Sequence, residues 1–245
     1  MLSWQFGGST HSSSDRGQEE GDVSLAYGPP KLFFDLPVNS RFAVSESANS
    51  RSANSRRLLG RSPLESYNGH TFIVEDLGSP TLFVDGANYM LREFHTHTPS
   101  EHTIDGTQFD MEIQFVHTLQ GSGGDKYVII SVFFNAREGG SEPPFLPQLA
   151  SAMSNEHFGP QPRWILRSLK FQDIADSLQS YAHMTSYYKY RGSLTQPPCT
   201  ESVTWFIIKS PISVHSSTLN TFQRLEGQNA RPVQPSAERL VEFTP

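Results

Sequence analysis

The sequence predicts a mainly β protein with one large sheet and a few short helices. From about residue 58, short apolar or alternating runs follow one another, separated by Gly, Pro, Asn or Asp, and such runs are typical of strands. The run Tyr127–Phe134 is almost wholly apolar, which favours a central strand buried on both faces. A length of 245 residues is common for a single all-β domain, and no second domain is evident.

The individual elements follow from these runs and from the residues that bound them. Strands are predicted at His70–Glu75, Thr81–Val84, Tyr89–His97, Phe109–His117, Tyr127–Asn135, Tyr187–Leu194 and Val203–Lys209. Helices are predicted at Pro144–Met153, Ile174–Tyr181 and Ser216–Leu225. The last of these has Ser216 or Ser217 as N-cap and Gly227 just past its end.

Residues 1–60 differ in texture from the rest and are predicted to be divergent and partly disordered. Lys31–Leu36 could form one strand there, whereas Ser9–Asp22 is polar and has no periodicity. Residues 47–56 repeat the pentapeptide Ser-Ala-Asn-Ser-Arg, which is too short and polar for a structural repeat and favours an inserted flexible loop. The folded domain is therefore predicted to span residues 61–245.

Composition excludes several classes of partner. The formal net charge is -6 and no basic stripe is present, which argues against nucleic-acid binding. No run of about 18 apolar residues occurs, so no transmembrane segment is expected.

Cys199 is the single cysteine, which excludes an internal disulfide. Met1–Thr10 has neither the basic nor the apolar part of a signal peptide, so the protein is cytosolic or lacks its true N-terminus.

The strongest local signal is a pair of histidines, His95 and His97, on one predicted strand. Spacing of two places both imidazoles on one face, because side chains alternate along a strand. If the following strand returns antiparallel, Glu112 and Gln114 face the pair, whereas His117 lies on the opposite face. Two satisfied, inert histidines are the alternative, but converging polar side chains favour a metal site or a polar pocket. Gln114 is then the residue placed to complete the site.

Ordered motifs over the C-terminal three quarters of the chain resemble the α-class carbonic anhydrases. The matching segments are Asn68–His70, His95 with His97, Pro99–Thr103, Asp110–Glu112, Val116–His117, Tyr190–Pro198, Glu201–Trp205, Pro211–Val214 and Asn229–Pro235. The resemblance implies a large twisted, mostly antiparallel central sheet with peripheral short helices. It also implies a conical active-site cleft at the centre of that sheet.

The resemblance implies a role for each matching residue. His95 and His97 match two zinc ligands, and His70 matches the proton shuttle at the cleft mouth. Thr195 matches the threonine whose hydroxyl donates to Glu101 and orients the zinc-bound hydroxide. The apolar wall for carbon dioxide is matched by Val116, Ile129, Leu194, Val203 and Trp205. Glu112 matches the carboxylate that holds the third zinc histidine.

At the position of that third histidine the chain has Gln114. A glutamine carbonyl is a weaker zinc donor than imidazole, so zinc affinity is expected to fall some tens to thousands-fold, at about 1.4 kcal/mol per tenfold. Gln114 can still turn its oxygen to zinc and donate its NH₂ to Glu112. Plant tuber storage proteins of this fold and animal carbonic anhydrase-related proteins are precedents for such a replacement.

Three functions follow from this departure. The favoured one is a carbonic anhydrase-related protein with impaired or absent carbon dioxide hydration and a binding or structural role. The second is an active or weakly active zinc enzyme that interconverts carbon dioxide and bicarbonate. The third is a storage or interaction module that uses the cleft for another small molecule.

Cys199 bears on cellular location. It matches a position that forms a disulfide with an N-terminal cysteine in secreted members of the family, but the partner cysteine and the family's N-terminal motifs are not recognisable in residues 1–60. A truncated or wrongly assigned N-terminus would account for both. The resemblance therefore implies a secretory or extracellular location. The sequence identifies no protein partner.

Overall fold

A computed structural model describes residues 64–67, 70–75, 77–78, 80–121, 126–139, 141–154, 163–164, 169–235 and 239–245. The predicted strand Lys31–Leu36 and the pentapeptide repeat lie outside these residues. Among the described residues there are thirteen strands and three helices. The helices are α1 (Phe145–Ser154), α2 (Phe171–Tyr181) and α3 (Ser216–Glu226).

One eleven-stranded sheet forms the body of the described part of the chain. Its strands are β1 (Leu64–Tyr67), β2 (Phe72–Glu75), β3 (Thr81–Val84), β4 (Ala87–His97), β7 (Met111–Leu119), β8 (Tyr127–Arg137), β9 (Arg163–Trp164), β10 (Tyr187–Gly192), β11 (Val203–Ile208), β12 (Ile212–His215) and β13 (Val241–Thr244). The hydrogen-bonded order is β13-β10-β11-β8-β7-β4-β2-β1-β9, while β12 pairs with β8 and β3 with β4. β5 (Thr103–Ile104) and β6 (Thr107–Gln108) form a separate two-residue ladder.

The predicted fold class is confirmed: the sheet is mostly antiparallel, and only β8 makes parallel pairs, with β11 and β12. All seven predicted strands from residue 70 onward and all three helices are present. The helix predicted at Ile174 begins at Phe171. The short strands β1, β5, β6, β9, β12 and β13 were not predicted. β8 lies at the centre and is buried over most of its length, as its apolar sequence predicts.

Two apolar clusters occupy the two faces of the sheet. The larger one lies beneath the helices and includes Phe94 and Phe115, whose ring centroids are 5.4 Å apart. The smaller one lies on the other face and includes Phe133 and Trp205. Side chains of β7 alternate between these clusters and the polar site, so β7 is buried on both faces. The site therefore lies on the face opposite the helices.

The pairing of β4 with β7 sets the register of the site. His95 lies opposite Gln114, and His97 lies opposite Glu112, as the sequence predicts. His117 lies on the other face, where its Nδ1 is 3.0 Å from the Phe115 carbonyl oxygen. The register shifts between Leu91 and Glu93, which marks a β-bulge at Arg92.

No helix in the described ranges is long and apolar enough to cross a membrane.

Candidate metal site and cleft

The register brings a histidine nitrogen and a glutamine oxygen together at the base of the cleft. His95 Nε2 lies 3.1 Å from Gln114 Oε1, and His95 is 8 % exposed. The other ring nitrogen, Nδ1, is 3.4 Å from Glu93 Oε1. Burial lowers the pKa of His95, but the hydrogen bond and charge of Glu93 outweigh it and leave the pKa raised. The predicted pairing of Gln114 with this histidine is therefore confirmed as geometry.

His97 is fully buried, and among the described residues no hydrogen bond of good geometry reaches its ring nitrogens, although the Asn229 backbone interacts with the ring. Its ring centroid lies 5.2 Å from that of His95, and its Nε2 is 3.3 Å from Glu101 Oε2. Burial, followed by the charge of His95, lowers the pKa of His97 to about 3. The ring is therefore neutral at physiological pH, with a lone pair free to bind a metal. Buried nitrogens without hydrogen bonds of good geometry are costly and are expected where a ligand belongs.

The Gln114 amide is held by two carboxylates. Its Nε2 donates to Glu101 Oε2 and to Glu112 Oε1, each at 2.9 Å. These bonds use both N–H groups and orient the amide oxygen towards His95. The predicted hydrogen bond to Glu112 is present, and the one to Glu101 was not predicted.

Glu112 is the most heavily bonded group in the site. Its Oε2 accepts from the backbone N–H groups of Glu101 and His102, at 2.9 and 3.0 Å. Its Oε1 accepts from His102 Nδ1 and Ser131 Oγ, each at 2.7 Å, besides Gln114. Burial alone would raise the pKa of Glu112, but the charge and hydrogen bonds of His102 lower it to about 2. Glu112 is therefore a carboxylate throughout the physiological range.

His102 extends this network to Tyr190. Its Nδ1 faces Glu112 Oε1 and its Nε2 lies 2.7 Å from the Tyr190 hydroxyl. His102 is thus a structural histidine that holds Glu112.

Glu101 lies at the back of the site. Its Oε1 accepts from the Arg231 backbone N–H at 3.2 Å, and its Oε2 accepts from Gln114. Burial, reinforced by the charge of Glu112, raises the pKa of Glu101 to about 6. Among the hydrogen bonds of the described residues none joins Thr195 to Glu101, which the resemblance had implied. The Gln114 amide occupies the oxygen nearest the site instead.

A cleft of about 330 Å³ opens above these residues. Three of the five predicted wall residues line it: Val116, Ile129 and Leu194. The other two, Val203 and Trp205, are 2 % and 1 % exposed and pack behind this wall. Thr195 lines the cleft together with His95 and Gln114. His70 is exposed, and its ring centroid lies 6.3 Å from that of His97.

Behind the histidine strand lies a buried carboxyl group that sequence reasoning missed. Glu226, the last residue of α3, accepts hydrogen bonds from the Phe72 backbone N–H and the Thr96 hydroxyl through Oε1. Its Oε2 has no partner among the described residues. Burial raises the pKa of Glu226 to about 7. A glutamate at the end of an amphipathic helix is usually solvated, so the sequence carries no signal for this position.

We expect Glu226→Gln to stabilise the protein at pH 8 but not at pH 4. The unfolded carboxyl ionises near pH 4.5 and the folded one near 7, so its burial costs nothing below pH 4.5. The cost grows between these values and reaches about 3 kcal/mol above pH 7, which a neutral glutamine removes. Urea unfolding at the two pH values measures the difference, with the exposed Glu242→Gln as matched control. If Glu226→Gln instead lowers stability at pH 8, the Glu226 carboxylate must be ionised and paired with a cation in the unmodified protein.

The described residues contain no group of three His, Cys, Asp or Glu side chains placed to hold one metal ion. The metal set that the sequence predicts, His95 and His97 with Gln114, stays a prediction.

Comparisons with known proteins identify the family. The family described as eukaryotic-type carbonic anhydrase matches residues 60–245, and the chain belongs to this family. Dioscorin DB3L of Dioscorea polystachya is 33 % identical over 193 residues, which cover 73 % of this chain and 63 % of dioscorin. A carbonic anhydrase of Pectobacterium atrosepticum is 32 % identical over 178 residues, covering 71 % of this chain and 66 % of that protein.

A comparison with solved structures finds a member of the same family. The α-carbonic anhydrase of Photobacterium profundum aligns with a TM-score of 0.63 and 32 % identity, covering 74 % of this chain and 77 % of that one. The match with the curated relatives spans a little under two thirds of their length, 63 % and 66 % for the two named above.

Proposed function

We propose that this chain is a carbonic anhydrase-related protein in which Gln114 weakens the zinc site and impairs carbon dioxide hydration. The observation that carries the proposal is the position of Gln114 Oε1, 3.1 Å from His95 Nε2 and on the strand facing both histidines. This contact supports the proposal that Gln114 takes the place of a third zinc ligand, and a neutral amide oxygen is a weaker zinc donor than imidazole.

The residues fit zinc, although weakly. His95 Nε2 donates a hydrogen bond to Gln114 Oε1 at 3.1 Å, so both atoms face the base of the cleft, and His95 would give up this proton to bind zinc. The His97 ring is buried and neutral, so one of its nitrogens can serve as a further donor. His95, His97 and Gln114 would hold the ion, which when bound lowers the pKa of its water and makes hydroxide available.

The chain's own residues limit the reaction in a second way. In the mechanism that the resemblance implies, Thr195 donates to Glu101 so that its oxygen accepts from the attacking hydroxide. Here the Glu101 oxygen facing the site accepts from Gln114. Among the described residues no hydrogen bond joins Thr195 to Glu101, so the contact that would hold the Thr195 hydroxyl in one orientation is missing. The apolar wall of Val116, Ile129 and Leu194 still offers carbon dioxide a place to rest.

An active or weakly active enzyme is the second candidate. It is favoured by the cleft, in which Thr195 and the apolar wall lie beside His95 and Gln114. Both N–H groups of Gln114 are anchored, so its oxygen needs no reordering to bind zinc.

The test is the hydration rate of the unmodified full-length protein in zinc-buffered solution, with bound zinc measured in the same samples. We expect substoichiometric zinc at zinc concentrations that saturate an ordinary family member, and hydration close to the uncatalysed rate. Stoichiometric zinc with fast, sulfonamide-sensitive hydration would establish the second candidate instead.

A further inference from the structure

The β-bulge in β4 turns the cationic side chain of Arg92 into the cleft. In an uninterrupted strand, alternation would place Arg92 on the core face. Leu91 lies opposite His117 and Glu93 opposite Val116, so Arg92 is the extra residue. As a result, Leu91 and Phe94 both belong to the core, although they are three positions apart. Arg92 and Glu93 consequently both line the cleft.

The Arg92 guanidinium is anchored but not neutralised. Its Nε donates to Thr118 Oγ1 at 2.7 Å, which leaves the four N–H groups of its two terminal nitrogens. Neighbouring Glu93 approaches the ring of His95 at 3.4 Å. Among the described residues no carboxylate lies within ion-pair distance of Arg92. An arginine with a fixed stem and a free fork is suited to binding a carboxylate through two parallel hydrogen bonds.

The cleft changes chemical character along β7. Gln114, Val116 and Thr118 are alternate residues of this strand and all line the cleft. They give it a polar base, an apolar middle and, through Thr118, the arginine at its far end. Four residues of strand span about 13 Å.

We propose that the cleft binds a small organic acid, with its carboxylate on Arg92 and its flat apolar body on Val116, Ile129 and Leu194. A polar group at its other end reaches Thr195 and His95. The cleft volume of about 330 Å³ corresponds to about eleven waters at about 30 Å³ each, so a single substituted ring fits. Carbon dioxide and bicarbonate are too short to contact both ends. The proposed site needs no metal and does not depend on the hydration reaction.

The test uses 4-hydroxybenzoate and its neutral isostere 4-hydroxybenzamide as probes, titrated calorimetrically into the full-length, EDTA-treated protein. We expect the acid to bind at least about tenfold more tightly than the amide, because a charge-assisted bidentate pair is replaced by neutral contacts. Arg92→Leu should remove this preference. Arg92→Lys should keep part of it, because the charge remains and the fork is lost. The exposed Arg191→Leu is the matched control and should change nothing.

Repeating the titration with zinc present separates this site from the metal. An Arg92-dependent preference in both samples supports the proposal, whatever the hydration rate. The proposal is overturned if acid and amide bind equally, if the acid fails to bind at 10 mM, or if Arg92→Leu leaves the preference intact. Binding of the acid only in the zinc-loaded sample would also overturn it, since the carboxylate would then be binding the ion.

Discussion

Gln114→His is expected to raise the rate of carbon dioxide hydration at least about a hundredfold in zinc-buffered solution. The change supplies an imidazole in place of an amide oxygen, opposite His95 in the register that the sheet already has. It also removes the amide donor that competes with Thr195 for Glu101 Oε2. Restored metal binding and an oriented nucleophile act together, and each is worth about ten- to a hundredfold or more.

Gln196→His is the matched control for this prediction. Gln196 also lines the cleft, but it lies in the loop after Thr195 and not on the face of the histidine pair. The control should leave the hydration rate unchanged. Equal rates for unmodified protein and Gln114→His, with both fully loaded with zinc, would mean that the amide oxygen serves as well as imidazole and that the second candidate function is correct.

Glu112→Gln is expected to destabilise the protein by about 3–5 kcal/mol. The carboxylate accepts five hydrogen bonds from buried donors and has a pKa of about 2, so it holds a charge that its neighbours require. A glutamine amide would present two donors to other donors, and His102 would lose its carboxylate partner. Total stability is about 5–15 kcal/mol, so a large fraction of it would be lost.

Urea unfolding of Glu112→Gln beside Glu138→Gln measures this effect. Glu138 is exposed near the end of β8, and its substitution should change stability by less than about 0.5 kcal/mol. A change below about 1 kcal/mol in Glu112→Gln would contradict the prediction and show that the five donors find other acceptors.

The fold and the identity of the facing residues could be predicted because each depends on a local, periodic signal. Alternation along β4 and β7 predicts that Glu112 and Gln114 share a face with the histidine pair, and the register of the sheet then sets Gln114 opposite His95. The apolar run of β8 likewise predicts its central position. The resemblance supplied the cleft and its apolar wall, and Val116, Ile129 and Leu194 line it in the structure.

Other features of the site depend on contacts between distant parts of the chain. The bulge at Arg92 leaves no mark on the alternation, and it exchanges Leu91 for Arg92 on the cleft face. The bond from Gln114 to Glu101 depends on the path of the loop after β4. Glu226 joins the site only because α3 packs behind β4, and its partners are more than a hundred residues away in the sequence.

The zinc dissociation constants of the unmodified protein and of Gln114→His, measured by equilibrium competition with a chromophoric chelator at one pH, test the central claim most directly. The claim is that Gln114 stands at the third ligand position and holds zinc poorly beside His95 and His97. It predicts that the unmodified protein binds zinc at least about a hundredfold more weakly than the variant, a difference of about 3 kcal/mol. Dissociation constants within about threefold of one another, or a variant that binds no zinc, would contradict it.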